Sequence, residues 1–186
     1  MFRLLASFRK FTTWMLAGLL VLTAGFGLSS VFGSAAAQAA AAFSAEDRTV
    51  LLNGSSTVTF SEAEMDRGRR LFGPTCGHCH IAGSTYTNPD IELSLDDLSN
   101  ANPRRDTVEG IVDYVKNPTT YDGMESLADF HPNLDMDDIY IEMRGLSEND
   151  VKLIAGYILQ QAKVNPGWGQ SKNIAHDPTF ERLQRK

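Results

Sequence analysis

The chain has 186 residues, 42% of them hydrophobic, with 17 Lys+Arg against 23 Asp+Glu and a net charge of −6. That length suits one principal domain, and residues 1–42 hold three cations (Arg3, Arg9, Lys10) and no acid, so the remainder carries −9. So acidic a domain argues against gripping a nucleic-acid phosphate backbone and favours a basic partner surface, while two cysteines rule out a disulfide-stapled miniprotein.

The first segment reads as an export signal. Met1–Lys10 is short and basic, Phe11–Gly33 is apolar, and Ser34–Ala42 is almost all small residues, with Ala37-Gln38-Ala39 as the expected cleavage site. An uncleaved anchor is the alternative, since Trp14–Phe32 is 19 residues and long enough to span a bilayer. Gly, Ser and Thr dilute its second half, and the Ala-x-Ala element follows at once. The expected organisation is therefore a cleaved signal peptide over 1–39, a domain over 40–169 and a tail over 170–186.

Thr49–Phe60 is expected to form a β-hairpin around Asn53-Gly54-Ser55-Ser56. Ser61 and Glu64 make a capping box, and Met65, Gly68, Leu71 and Phe72 continue at helical spacing until Gly73-Pro74, where the helix should stop. Asn88–Pro103 reads as loop with one acidic turn. Asp106–Lys116 reads as a helix with Val108, Ile111, Val112 and Val115 on one face, closed by Asn117-Pro118. Thr119–Pro132 should be irregular, and Asp135–Arg144 a short helix with Ile139 and Met143 inward. Ser147 should cap a last helix striped by Val151, Ile154, Ala155, Ile158 and Leu159, ended by Asn165-Pro166-Gly167. The stretch from Gln170 to Lys186 has few apolar residues and should be a mobile tail.

The chemistry lies in Cys76-Gly77-His78-Cys79-His80, two cysteines followed at once by histidine. Two thiols three residues apart on one turn can reach the two vinyl groups along one side of a porphyrin, giving covalent thioethers. The next histidine then lies under the iron and supplies the proximal nitrogen. A zinc site of Cys76, Cys79, His80 and a remote histidine is the main competitor, but adjacent Cys79 and His80 would strain one tetrahedral ion. A thioredoxin-like dithiol lacks its βαβ context, and a plain surface disulfide is the least informative reading. His78 should be merely solvated. The candidates for the sixth position on iron are Met124, Met136, Met143, His131 and His176; spacing ranks Met124 and His131 equal, with Met136 and Met143 better explained by packing.

From Thr49 to about Gly169 the chain resembles the cytochrome c-550 (PsbV) subunits of photosystem II. The resemblance rests on Arg70-Leu71-Phe72, Thr87-Asn88-Pro89, Pro103-Arg104-Arg105-Asp106, Glu109-Gly110, Val112-Asp113-Tyr114, His131-Pro132, Met143-Arg144 and Ile154-Ala155-Gly156. The run Lys116-Asn117-Pro118-Thr119-Thr120-Tyr121-Asp122-Gly123 is its most specific element. The resemblance implies a mainly α, monohaem cytochrome c fold with an added N-terminal hairpin, and one covalent haem c on Cys76 and Cys79. It further implies His80 as proximal and His131 as distal iron ligand, which breaks the tie with Met124. Gly68, lacking a side chain, would let the Tyr157 region of the last helix cross closely.

The role so implied is that of an extrinsic subunit in the thylakoid lumen, peripheral to the membrane and docked on the photosystem II core beside other extrinsic subunits. There it would stabilise the oxygen-evolving manganese–calcium cluster and help retain calcium and chloride. Closure of both axial positions leaves no room for substrate at iron, so no enzyme activity is expected. The alternatives are a soluble c-type electron carrier, or divergent paralogue, and an interaction module held by zinc or a disulfide. One feature departs from the family pattern: 17 residues follow Gly169, and Lys163–Lys186 holds five basic against two acidic residues.

Overall fold

The computed structural model describes residues 43–170. The expected signal segment with its cleavage site, and the tail from residue 171 with His176, lie outside the described residues. In chain order come β1 (Thr49–Leu51), β2 (Thr57–Thr59), α1 (Glu62–Thr75), α2 (Leu95–Asn100), α3 (Val108–Lys116) and α4 (Glu148–Val164). Short 3-10 turns occupy Ile81–Gly83, Leu134–Met136 and Ile141–Met143. This is the expected mainly helical fold with an added hairpin. No described helix is long and apolar enough to cross a membrane.

β1 and β2 pair antiparallel with Val50 opposite Val58 and Thr49 opposite Thr59. Asn53 sets the turn: its Oδ1 accepts the backbone N–H groups of Ser55 and Ser56 at 3.1 and 3.0 Å, an Asx turn in which the side chain stands in for backbone. The hairpin is tied down at both ends. Lys163 Nζ donates to the carbonyls of Glu46 and Thr49 at 2.6 and 3.2 Å, and the Glu109 N–H donates to the Leu52 carbonyl at 3.0 Å.

Helix α1 starts on its reciprocal box, Glu64 Oε2 accepting from the Ser61 N–H at 2.8 Å while Ser61 Oγ accepts from the Glu64 N–H. It does not stop at Gly73-Pro74 but runs to Thr75, with Pro74 inside its last turn. Proline removes one donor only, and the neighbours hold the turn: Thr75 Oγ1 donates to the Leu71 carbonyl at 2.6 Å and the Cys76 N–H to that of Phe72 at 2.9 Å. The acidic turn expected before Pro103 is the six-residue helix α2, capped by Ser94 Oγ, which accepts from the Asp97 N–H at 3.1 Å. Helix α3 begins at Val108, two residues late, because the Thr107 hydroxyl caps it.

The core is the seam between α1, α3 and α4. Met65 and Phe72 of α1, Val108, Ile111 and Val112 of α3, and Val151, Ile154, Ala155, Ile158 and Leu159 of α4 are all buried there, as their helical spacing required. The close approach of α1 and α4 needs a residue without a side chain. A Cβ on Gly68 would lie 2.8 Å from the Leu153 carbonyl carbon, even closer to its oxygen, and 3.2 Å from Tyr157 Cβ. Past this crossing Phe72, Tyr157 and Trp168 stack as a trio with ring centroids 5.4 to 5.7 Å apart.

Asp135–Arg144 is not the expected helix. It forms two 3-10 turns broken at Tyr140, whose ψ of 83° is outside the helical region. Met143 is buried as expected, whereas Ile139 is 61% exposed. Its hydrogen bonds show why: Ile139 and Met143 donate three residues back, to Met136 and Tyr140, and such tight turns turn successive apolar residues to different sides.

Helix α4 starts on a second box, Ser147 with Asp150, and Asp150 also receives Nε and Nη2 of Arg67 at 3.2 and 2.7 Å. The Ser147 hydroxyl and the Arg67 guanidinium hold the Asp150 carboxyl down at about 2, and its side chain is 12% exposed. A carboxyl depressed in the folded state stabilises above its unfolded pKa and loses that contribution as pH falls through the folded value. Asp150→Ala should therefore cost about 1–2 kcal/mol at pH 7. Urea titrations at stepped pH should show wild type and variant converging between about pH 4 and pH 2; parallel curves there would remove Asp150 from the stability balance.

Candidate haem site

The Cys-Gly-His-Cys-His motif is a single turn grown from the end of α1. Cys76 closes the helix, and its carbonyl then accepts the N–H groups of Cys79 and His80 at 3.2 and 2.9 Å. This puts Cys76 half-buried against the core, Cys79 at the surface and His80 partly buried. Cys76 and Cys79 form no disulfide, and burial pushes the Cys76 thiol pKa up. His78 is exposed, as expected. Gly77 is needed here: a Cβ would sit 2.6 Å from the Gly73 carbonyl oxygen.

The chain after His80 is cinched from far along the sequence. Gly83 has φ +83° and packs against Trp168, whose indole Nε1 would lie 2.6 Å from any Cβ placed there. Trp168 Nε1 donates to the Leu93 carbonyl at 3.0 Å. The Gly169 N–H donates to Ala82, and the Leu93 N–H to Gly83. The end of the domain thus clasps the turn that presents His80.

His131 arrives on the irregular stretch that follows α3. That stretch is folded back by an isolated bridge between Thr119 and Ser126 and by Gly123, whose φ of 77° and contact with the Asn102 carbonyl leave no room for a side chain. Asn133, 1% exposed, splints the histidine: its Nδ2 donates to the carbonyls of Ala128 and His131 at 2.9 and 3.0 Å. The Tyr114 ring meets the His131 ring edge-on with centroids 4.9 Å apart.

The structure brings His80 and His131 together, ring centroids 6.3 Å apart and planes inclined by 50°. Each ring commits Nδ1 elsewhere, His80 to the Thr85 hydroxyl at 3.1 Å and His131 to the Pro132 carbonyl at 2.8 Å. A carbonyl can only accept, so Nδ1 of His131 carries the proton and Nε2 keeps its lone pair. Burial, then the other imidazole, pushes the His80 pKa down to about 4; burial and, more weakly, Arg105 lower that of His131, against the pull of the Pro132 carbonyl. Both rings are neutral at pH 7, the form that binds a metal.

Met124 is 80% exposed, and Met143, 4% exposed, is part of the packed interior. Met136 is half-buried on the Leu134–Met136 turn, and His176 is outside the described residues. Among the described residues no three or more His, Cys, Asp or Glu side chains are grouped to hold a metal ion by themselves, which the zinc alternative would require. Thr85, Asn133, Tyr114 and Trp168 have no role legible in the sequence; Tyr114 stands out only through the family-like run Val112-Asp113-Tyr114 and its place on α3, one turn after Ile111.

A small mainly helical domain with Cys-x-x-Cys-His at the end of its first helix has the fold and motif of a cytochrome c. The Cytochrome c-550 domain model matches residues 41–175, and the chain belongs to the cytochrome c-550 family. Its relatives include Photosystem II extrinsic protein V of Synechococcus sp. (strain JA-2-3B'a(2-13)), 47% identical over 152 residues that make up 82% of this chain and 79% of that protein. The protein of the same name from Synechococcus sp. (strain JA-3-3Ab) is 52% identical over 127 residues, 68% of this chain and 71% of the relative. Among solved structures, cytochrome c549 superposes with a TM-score of 0.66 at 43% identity, over 68% of this chain and 99% of that one. The PsbV2 cytochrome of Thermosynechococcus elongatus gives 0.57 at 36%, over 65% and 87%. These relatives are cytochromes and photosystem subunits, not a recognised enzyme family, and they imply haem c as the cofactor.

Proposed function

We propose that the chain carries one haem c, joined by thioethers to Cys76 and Cys79 and ligated by His80 and His131, and serves as an extrinsic lumenal subunit of photosystem II. The observation that carries the ligand set is the pair of neutral imidazoles. A separation of 6.3 Å between ring centroids suits one ion between them, given about 2 Å for each metal–nitrogen bond plus the half-width of each ring. The haem supplies reversible one-electron chemistry when bound. The chain's own residues orient it: Thr85 and the Pro132 carbonyl hold Nδ1 of each histidine, and Asn133 and the Trp168 clasp hold the two segments. Histidines on both faces leave no open position, so the reading includes no catalysis.

The membership of the family and the names of its relatives support docking on the photosystem II core with other extrinsic subunits. There the subunit stabilises the manganese–calcium cluster and helps retain calcium and chloride. Residues 1–39 act as the cleaved export signal to the thylakoid lumen, 40–169 form the cytochrome domain, and 170–186 a tail. A second reading, a diffusing carrier or divergent paralogue, has the likeness to the PsbV2 cytochrome in its favour.

The test is purification of the native photosystem II complex, with the chain and its haem followed together. One haem per chain should co-purify and survive acid–acetone extraction and denaturing electrophoresis. Cys76→Ala or Cys79→Ala should yield weakly held or misassembled haem. Colour lost from the wild type under those conditions would refute the covalent assignment; a haem-bearing chain absent from the complex would turn the choice to the carrier.

Docking should also respond to salt. Attraction between a chain that carries −9 beyond residue 42 and a basic surface is screened over about 8 Å at physiological ionic strength and about 3 Å at 1 M. A 1 M salt wash should release most of the subunit from photosystem II membranes. Readdition at low salt should restore oxygen evolution, most visibly when calcium and chloride are scarce. Full retention through the wash would rule out an electrostatic dock.

A further inference from the structure

Among the described residues, one cation near His131 has no counter-charge. Arg105 is 8% exposed, and desolvation lowers its pKa. Its Nη2 donates to the carbonyls of Thr119 and Thr120 at 3.1 and 2.8 Å, with a longer contact to the Thr119 hydroxyl at 3.4 Å. Its Nε is buried with no hydrogen-bond partner. The titratable groups that bear on it are the phenols of Tyr114 and Tyr121, and among the described residues no carboxylate does so. The adjacent acid is already spent: Asp106 receives Nε and Nη2 of Arg104 at 3.1 and 2.5 Å.

Burying a guanidinium without an anion is among the costlier arrangements a protein can hold. Arg105 is nonetheless held firmly, its Cζ 4.0 Å above the centroid of the Tyr114 ring, whose edge in turn meets His131. It is thus fixed one ring away from a proposed axial ligand. A haem brings two carboxylates, and a guanidinium is the side chain best shaped to receive one.

We propose that Arg105 is the counter-ion of a haem propionate, so that the cofactor completes the charge balance of a site that the protein alone leaves positive. The inference rests on the haem reading above. Arg105 is then a positioning residue: Thr119 and Thr120 fix one side of its fork, Tyr114 its face, and the propionate takes the remaining donors. It also raises the reduction potential, because a nearby cation favours the iron state of lower charge.

The test uses the holoprotein. Arg105→Gln should keep one covalent haem by pyridine haemochrome and an unchanged axial spectrum. At a fixed poise its ratio of reduced to oxidised haem should fall by about tenfold, equivalent for one electron to about 59 mV. The propionate bending band in the resonance Raman spectrum should shift as well. Arg105→Lys keeps the charge and loses the fork, so it should restore most of the potential while the band stays displaced. A Gln variant with wild-type potential and band would overturn the proposal, and so would a shifted potential with an unmoved band. If the Gln variant does not accumulate, the Lys variant decides alone, an unmoved band refuting the contact. A wild-type protein without haem would instead overturn the reading beneath.

Discussion

His131→Met is expected to raise the reduction potential of the holoprotein, by on the order of 0.1–0.2 V out of the roughly 0.8 V that axial ligation spans. A thioether stabilises ferrous over ferric iron relative to imidazole. The oxidised variant should also gain a sulfur-to-iron charge-transfer band in the far red. Met124→Ala should change neither property, because that side chain is 80% exposed. The pair is decisive because spacing in the sequence leaves Met124 and His131 equal. Loss of a far-red band from the wild type on Met124→Ala, or an unaltered potential in His131→Met, would overthrow the bis-histidine assignment.

The second large effect is structural, and it has an internal control. Gly68→Ala places a methyl group 2.8 Å from the Leu153 carbonyl carbon and closer still to its oxygen, and neither is the movable end of a side chain. Helices α1 and α4 must separate, at about 3 kcal/mol or more, the upper end of overpacking costs. The melting temperature should drop by roughly 10–15 °C for a domain of this size. Gly73 lies five residues further on in the same helix, yet a Cβ there meets nothing within 4 Å. Gly73→Ala should therefore cost far less than Gly68→Ala, its gain in helix propensity being offset by the crowding of a Cβ against the ring of Pro74 that follows. Equal effects at the two positions would mean that helix crossing is not what Gly68 serves.

What was legible in the sequence was local or periodic. The boxes at Ser61 and Ser147 each need one turn of chain, and both form. The α4 stripe is buried because five apolar residues recur at helical spacing. Cys-x-x-Cys-His is likewise complete within five residues. What was missed depends either on local hydrogen bonds that apolar spacing does not reveal or on partners far away in the chain. Pro74 forecasts an end to α1, but side-chain and backbone bonds from Thr75 and Cys76 carry the turn past it. Ile139 and Met143 share helical spacing, yet only Met143 meets the core. Arg105 appears in the sequence as one of two neighbouring arginines. Only the fold distinguishes Arg104, paired with Asp106, from Arg105, buried over Tyr114.

The Trp168 clasp carries a consequence for how the molecule is made. Its indole closes on Leu93 across 75 positions of chain, and Gly169 closes on Ala82, so the turn bearing His80 cannot be sealed until almost the whole domain has emerged. Cys76 and Cys79 are therefore synthesised before the segment that seals their turn. A chain truncated before Trp168 would keep that turn unsealed, so completion of the polypeptide is what fixes the segment bearing His80.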